Sequence, residues 1–433
     1  MPATVLREGR NDRSDQRVSA ALLRAVGDGL ANDTRALQAA IDETARRGGG
    51  TVRIPAGRYV TGSVVLRDDI TLHLEAGAVL LGSLDPGEYP PVEARWEGRH
   101  QVTHAPLIGG KGLRNVAITG RGTIDGRGAP WWAKYREKAL EHPRPRLISF
   151  SDSSNVLVEG ITATNSPAWT INPVRCENVT VTRVTIFNPP DSPNTDGINP
   201  DSCRDVRISD CHIDVGDDCI TLKSGIETED PDKRGPCENI AISNCTMAHG
   251  HGGVVIGSET SGDVRNVVIA NCIFTGTERG IRIKTRRGRG GVVEDVRATN
   301  IIMRDVLVPF TMNLYYNAHA KGDPVVADRG PRPVDEGTPR VRRIRFGEIT
   351  ARDAHHAAAF LWGLPEMPIE DVAFSDVTVV MSEDAREGIP EHADGLEPMR
   401  RAGFFARNMR GLRLDRVDIS GQAGEPFLLR DVT

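Results

Sequence analysis

The sequence predicts an all-β chain wound as a single-stranded, right-handed parallel β-helix, with one capping helix near its N-terminus and long loop inserts. Three observations predict it. First, a short motif, Asn/Asp-Val/Ile-x-Val/Ile, recurs at Asn115, Asn155, Asn178, Asp205, Asn239, Asn266 and, more loosely, at Asp295 and Asp371. Arg343 and Gly411 open the same pattern with a changed first residue. The intervals run from 23 to 34 residues in the middle of the chain and lengthen where insertions intrude. Second, each unit reads strand, turn, strand, turn, without a helical period. That excludes helix-bearing repeats, and a propeller blade would run to about 40–45 residues with its own signature. Third, 433 residues exceed the roughly 250–300 at which a single core stops growing. A solenoid escapes that limit by growing along one axis.

Taken in order, residues 1–31 mix polar and apolar positions, and Val18 to Val26 read as a strand or a helical turn. Asn32 or Asp33 then caps a helix whose apolar face is Ala36, Leu37, Ala40, Ile41 and Thr44, and Gly48-Gly49-Gly50 ends it. Such a helix covers the open apolar end of a strand stack, which solenoids require. From Thr51 the period becomes two: Thr51–Ile54, Ser63–Leu66, Ile70–Leu74 and Ala78–Leu81 are short strands separated by Gly, Pro and Asp. The recurrent Asn suits a fixed turn, because Asn tolerates a left-handed backbone and its amide can bond the same residue one coil away. Three segments break the rhythm: Asp85 to His100, Arg127 to Arg146 and Ala318 to Arg340. They carry Pro, Gly, charge and the aromatics Tyr89, Trp96, Trp131, Trp132 and Tyr135, and read as loops walling a cleft on one face of the rod. With no linker or low-complexity tract, one domain over 1–433 is the simplest count, with a capping segment at 1–50 and coils at 51–433.

A net charge of −5 argues against a nucleic-acid partner. No window is long and apolar enough to span a membrane. Met1 to Gln16 has charges but no apolar run behind them, so no secretory signal is read. The expectation is a cytoplasmic protein if the chain is full length, and a secreted or periplasmic one if a signal was removed. The seven cysteines lack zinc-site spacing and read as buried free thiols. No metal or cofactor is expected, and oligomeric state stays open.

Four polar motifs then stand out: Asn194-Thr195-Asp196-Gly197, Gly216-Asp217-Asp218-Cys219, Gly250-His251-Gly252 and Arg282-Ile283-Lys284. Asp196 to Asp217, Asp218 to His251 and His251 to Arg282 are 21, 33 and 31 residues apart. One coil of that length stacks all four on one wall, with strands about 4.8 Å apart. Ile281 and Ile283 point inward, so Arg282 and Lys284 point out together; Asn194 and Asp196 are expected on the outer face as well, beside an inward Ile198. Asp217 and Asp218 are consecutive, so both reach the cleft only if the chain bends at Gly216. Clustered carboxylates repel, so one should hold its proton above the usual range and serve as a general acid, with a second available for water or attack. The two cations offset the charge of an acidic substrate. Alone, each motif is a turn or a wetted face. Together, in register with an independent repeat, they point to a glycosidase acting on an acidic sugar polymer.

In order and spacing, the four motifs resemble the signature of the polygalacturonase family, glycoside hydrolase family 28. The resemblance implies a pectin-lyase-like β-helix and hydrolysis of α-1,4-linked galacturonan with inversion. It implies Asp196, Asp217 and Asp218 as catalytic carboxylates, Asp217 resembling the general acid and the other two positioning water. His251 resembles the residue that supports the acid, Arg282 and Lys284 resemble the binders of the sugar carboxylate, and Asn194 joins them in binding substrate. The family also has a substrate-binding Tyr one coil further on. Phe310, Met312 and Leu314 alternate as an inward face, which puts Thr311, Asn313 and Tyr315 on the cleft and favours Tyr315 over Tyr316. The run from Gly250 to Glu259 and the long inserts look more like exo-acting members, whose groove needs a closed end. The alternatives are an endo-acting hydrolase or one for a related pectic backbone, a calcium-dependent pectate lyase, and a non-catalytic polysaccharide-binding β-helix. The lyase finds no all-oxygen calcium loop in the sequence.

Overall fold

A computed structural model of the chain describes residues 18–19, 25–230 and 234–433. Successive coils stack as parallel strands, giving the right-handed parallel β-helix that the repeat predicts. One wall shows the register clearly. Asp218–Leu222 pairs with Gly252–Gly257, that strand with Arg279–Lys284, and that in turn with Val308–Asn313 and Ala357–Trp362. A parallel ladder of this length rules out a propeller, whose blades are antiparallel sheets arranged radially.

The register explains the core. Ile220, Val254, Ile281 and Phe310 sit one above another and are buried. Each contributes roughly 1.5–3 kcal/mol from leaving water. Between two such inward columns runs the row Thr221, Val255, Arg282 and Thr311. This row faces the other way, toward the cleft.

On a second wall the recurrent motif does what its chemistry predicts. Asn155, Asn178, Asp205, Asn239, Asn266 and Asp295 all have φ between 54° and 59°. The Asn178 amide donates to Asn155 Oδ1 at 2.7 Å, Asn239 to Asp205 Oδ1 at 2.9 Å, and Asn266 to Asn239 Oδ1 at 3.0 Å.

The N-terminal helix spans Thr34–Arg46 and buries Leu37, Ala40, Ile41 and Thr44 against the first coils. Asp33 precedes it, but its carboxylate accepts from Val26 N and Gly27 N instead of capping the helix. Of the segment Val18 to Val26, Val18–Ser19 form a strand beside Val52 and Arg53, while residues 20–24 lie outside those described. All seven cysteines are free and buried. No helix among the described residues is long and apolar enough to cross a membrane.

The three inserts are more ordered than loops. The first contains an antiparallel hairpin, Pro91–Trp96 with Arg99–His104. The second opens on a helix, Ala129–Arg136, and the third holds a one-turn helix, Pro324–Ala327. The hairpin is anchored through its own side chains. Arg95 is buried in ion pairs with Asp201 at 2.6 Å and Glu229 at 2.7 Å, and Trp96 stacks on Trp169 with centroids 5.2 Å apart. Its tip, Glu97-Gly98, turns back with both residues at positive φ, and a side chain at position 98 would strike Ile226.

Candidate active site

The wall that carries the three acids is regular where the strands run and irregular where the acids sit. Asp218 opens a strand, whereas Asp217 lies in the corner after His212–Val215. Gly216 makes that corner possible: a Cβ there would come within 2.4 Å of Ser192 O. The required bend is therefore present, and both aspartates reach the same cavity. Asp196 sits on a bend held to its neighbours by the single bridges Ile171–Ile198 and Ile198–Ile220. One carboxylate oxygen from each of Asp196, Asp217 and Asp218 falls within 4.8 Å of the others. A cavity of about 80 Å³ above them is also lined by Asn194, Lys223, Lys284 and Tyr316.

Three acids this close need cations. Lys284 Nζ donates to Asp218 Oδ2 at 2.8 Å, and Arg282 Nη1 stands 3.6 Å from Asp218 Oδ1. His251 Nδ1 is 3.2 Å from Asp217 Oδ1, which also accepts from the Asp218 N–H at 2.8 Å. Burial works against the charge on Asp217, but the His251 hydrogen bond and charge, with Lys284, outweigh it and hold that carboxyl below its ordinary range. The imidazole moves the opposite way: burial opposes its charge, Asp217 overrides burial, and His251 is pushed up to about 9. Asp196, 3% exposed, is pushed well up, by burial first and then by the charge of Asp217, although Asn199 and Thr221 donate to its Oδ2. The carboxyl expected to keep its proton is therefore Asp196 when the cleft is empty, while Asp217 is the ionised partner of an imidazolium.

Arg282 and Lys284 share the cleft-facing side of their strand as expected, but neither is free. Arg282 is held through Nε by Glu391 Oε2 at 2.9 Å, and through Nη2 by the other oxygen of the same carboxylate. Glu391 is fully buried, and Arg282 and Arg279 overcome the burial penalty to keep it ionised. The sequence reading missed Glu391. Its signal is the polar run Gly388-Ile-Pro-Glu-His-Ala-Asp394, which interrupts the repeat between Asp371 and Gly411. Lys223 and Glu259 were missed too; they form a 3.0 Å pair on the cavity wall, and Lys223 sits over Trp169 at 5.2 Å. Asn194 is placed as expected, accepting from Arg144 Nη2 at 2.6 Å, and Arg144 comes from the second insert.

The tyrosine assignment needs correction. Tyr315 is 1% exposed and packs on Trp362 at 4.7 Å, under Arg329 at 4.2 Å. Tyr316 is the residue on the cavity, its ring 5.5 Å from Arg282 and 5.3 Å from Lys284. Strand alternation fails here because the strand ends at Asn313, whose side chain accepts from Tyr315 N and turns the chain. Parity counted from Phe310 no longer applies two residues past that end.

Comparison with known proteins agrees with this geometry. The model of the family described as glycosyl hydrolases family 28 matches residues 50–392. A probable polygalacturonase of Vitis vinifera is 35% identical over 374 residues, covering 84% of this chain and 74% of the relative. An endo-polygalacturonase of Pectobacterium carotovorum subsp. carotovorum is 30% identical over 284 residues, covering 62% of this chain and 69% of the relative. The structure of a hyperthermoactive exopolygalacturonase from Thermotoga maritima is 28% identical, covers 94% of this chain and 92% of its own, and gives a TM-score of 0.78. The Yersinia enterocolitica family 28 exopolygalacturonase reaches a TM-score of 0.79 at 22% identity, covering 96% and 77%, a likeness of fold alone.

Proposed function

The chain belongs to glycosyl hydrolases family 28, and we propose that it hydrolyses α-1,4-linked galacturonate, releasing units from a chain end of pectic polygalacturonate or its oligomers. The observation that carries this reading is the convergence of three carboxylates within 4.8 Å of one another on two buried cations and an imidazole.

The triad titrates as one unit, so a proton belongs to the group and not to one side chain. With the cleft empty, burial and the charge of Asp217 make Asp196 the member of the group that favours the proton. A substrate carboxylate seated near Lys284 and Arg282 quenches Lys284, one of the two cations that favour the charge on Asp217. Asp217 then gains proton affinity, takes up the proton from Asp196 or His251, and delivers it to the leaving glycosidic oxygen as the C–O bond breaks. Asp196, now ionised, and Asp218 hold and deprotonate the attacking water, whose oxygen bonds to the anomeric carbon. Asp218 Oδ1 is buried with no hydrogen-bond partner, an open acceptor for that water.

The exo reading is supported by the hairpin. Its tip brings Glu97 to the same cavity that Lys284 lines, while His319 comes from the third insert. Arg95 and Trp96 fix this wall in place. The similarity to the Thermotoga exopolygalacturonase, nearly end to end, leans the same way.

Chromatography of products from galacturonan of defined length tests the reading. Monomer alone at early times is expected. A ladder of oligomers would make the enzyme endo-acting, and an unsaturated, ultraviolet-absorbing product lost on chelation would make it a lyase. The anomer released is a separate check. The oxygens lie closer than the roughly 6.5–9.5 Å carboxyl separation usual for inverting pairs, while the family reading implies inversion. Proton NMR of the first product should show the β anomer; the α anomer would make one of the aspartates a nucleophile.

A further inference from the structure

Beside the triad cavity lies a second chamber of about 180 Å³, and the two share Glu97, Ser258, Glu259 and His319 in their walls. At roughly 10–15 Å³ per water-sized position, it has room for about one sugar ring. It sits past the strand ends that carry the site: Glu259 follows Gly252–Gly257, and Arg286 and Arg289 follow Arg279–Lys284. We infer that this chamber is a second carboxylate-recognition subsite, in which Arg286 and Arg289 hold the uronate unit adjoining the one at the catalytic aspartates. This inference rests on the galacturonan-hydrolase reading and deepens it.

The charge balance points to an anion. Glu227 is bonded by both guanidiniums, Arg286 Nη2 at 3.2 Å and Arg289 Nη1 at 2.5 Å. Glu259, the next acid on the wall, is already paired with Lys223 at 3.0 Å. Two arginines thus share one carboxylate, and Arg99 reaches the same chamber from the hairpin. Burial, and then repulsion from Arg289, lowers the proton affinity of Arg286, a cost that an added anion relieves.

Hydrogen bonding points the same way. Arg289 is 7% exposed, yet its Nε is buried without a partner. A buried donor left unmade costs free energy, more so when charged, and a ligand oxygen would satisfy it. The planar fork of Arg is also the group best matched to a carboxylate. Glu97, across the chamber, has its proton affinity raised by burial, with the charge of Glu259 adding to the effect. That suits it to sugar hydroxyls and not to a second carboxylate.

The test uses digalacturonate and its two monomethyl esters, one blocked at each unit. Binding is followed by tryptophan fluorescence, since Trp96 lines the chamber, in an Asp217→Asn background that prevents turnover. Arg289→Gln should weaken the unmodified dimer about tenfold or more. In this variant one of the two monoesters should bind as well as the free acid, while the other stays penalised as it is with Arg289 present. Arg289→Lys, which keeps the charge, should recover part of the affinity, and an unchanged unfolding midpoint would show that the wall stays folded. Equal ester penalties with and without Arg289, or no binding of the dimer at all, would overturn the inference. Turnover by the unmodified enzyme is scored separately. Hydrolysis without Arg289-dependent discrimination sinks this inference alone, and discrimination without hydrolysis sinks the hydrolase reading alone.

Discussion

Two walls of the same rod obey opposite rules. On the wall through Asn155, Asn178, Asp205, Asn239 and Asn266, each coil brings a nearly identical residue to an identical turn, and neighbouring side chains bond along the axis. On the wall through Asp196, Asp218, Arg282 and Thr311, each coil brings something different, and the side chains meet across a cavity. The first wall is redundant, because losing one rung leaves its neighbours solvated and intact. The second is not, because the charges there meet specific partners in one cluster, Asp218 with Lys284 and Arg282, and Arg282 with Glu391.

The largest effect should follow from removing that chemistry. Asp217→Asn and Asp218→Asn should each lower kcat on polygalacturonate by roughly 10²–10⁴-fold, the range for loss of an acid or base group, with circular dichroism unchanged. Near-full activity in either would break the contrast, because the catalytic wall would then be as redundant as the ladder. Glu391→Gln comes next. It removes the two-point counter-charge of Arg282 in a dry site and leaves only Asp218 at 3.6 Å, which should cost about 3 kcal/mol of stability by denaturant titration. Adding Arg282→Met should restore much of that stability and none of the activity. If the single variant unfolds like the parent, the pair is not the support for the cleft.

The same contrast explains what the sequence makes legible. Register is written in the chain, because the inward aliphatics and the left-handed Asn turn repeat. The fold, the capping helix and the side on which Arg282 and Lys284 emerge follow from it, whereas Asp196 and Asp218 share the parity of the inward Ile198 and Ile220 and reach the cleft only where the coil is irregular. What crosses the axis is not written there. Glu391 reaches Arg282 from 109 residues away, and Arg144, Glu97 and His319 arrive from inserts whose path no period sets. Tyr315 was misassigned for the same reason, since alternation holds only while the strand lasts. Proton placement was half legible. That one acid of three keeps its proton follows from repulsion alone, but that it is Asp196 depends on where His251 and Lys284 come to rest.

A pH measurement sharpens the electrostatic half of the comparison. His251 should titrate at about 9 by NMR, well above its ordinary 6.5. In Asp217→Asn it should fall well below that raised value, because the largest opposing charge is gone and only the weaker pull of Glu278 and Asp218 still works against burial. The folded value of His251 exceeds its unfolded one, so its contribution to stability is present below about 6.5 and is lost as pH rises through about 9; Asp217, held below its ordinary range, loses its share at the acid end instead. A titration near 6.5 in both forms would mean that His251 and Asp217 are not a charged pair. A smaller effect separates the two tyrosines. Tyr316→Leu should lower kcat/KM about tenfold through the lost ring over Arg282 and Lys284. Tyr315→Leu should instead lower the unfolding midpoint and leave KM in place; the reverse pattern would reinstate Tyr315 at the cleft.

The ladder wall carries the smallest expected effect and the finest test of why it repeats. Asn239 is exposed, sits at φ 59°, donates to Asp205 and accepts from Asn266. Two explanations compete: the amide bonds, or the tolerance of Asn for a left-handed backbone. Asn239→Ala loses both and should cost about 1–2 kcal/mol. Asn239→Gly loses the bonds but adopts the backbone without strain, against about 0.5–1 kcal/mol from the added freedom of the unfolded chain. If the backbone governs, glycine should be the milder change, as the natural Gly411 at the equivalent turn, φ 71°, suggests. If the amide bonds govern, glycine should be the harsher change, by the freedom it adds to the unfolded chain. Activity should stay within twofold in both, since a rung on this wall touches nothing in the cleft; a larger loss would mean that the two walls are coupled through the coil and that the redundancy of the ladder is only apparent.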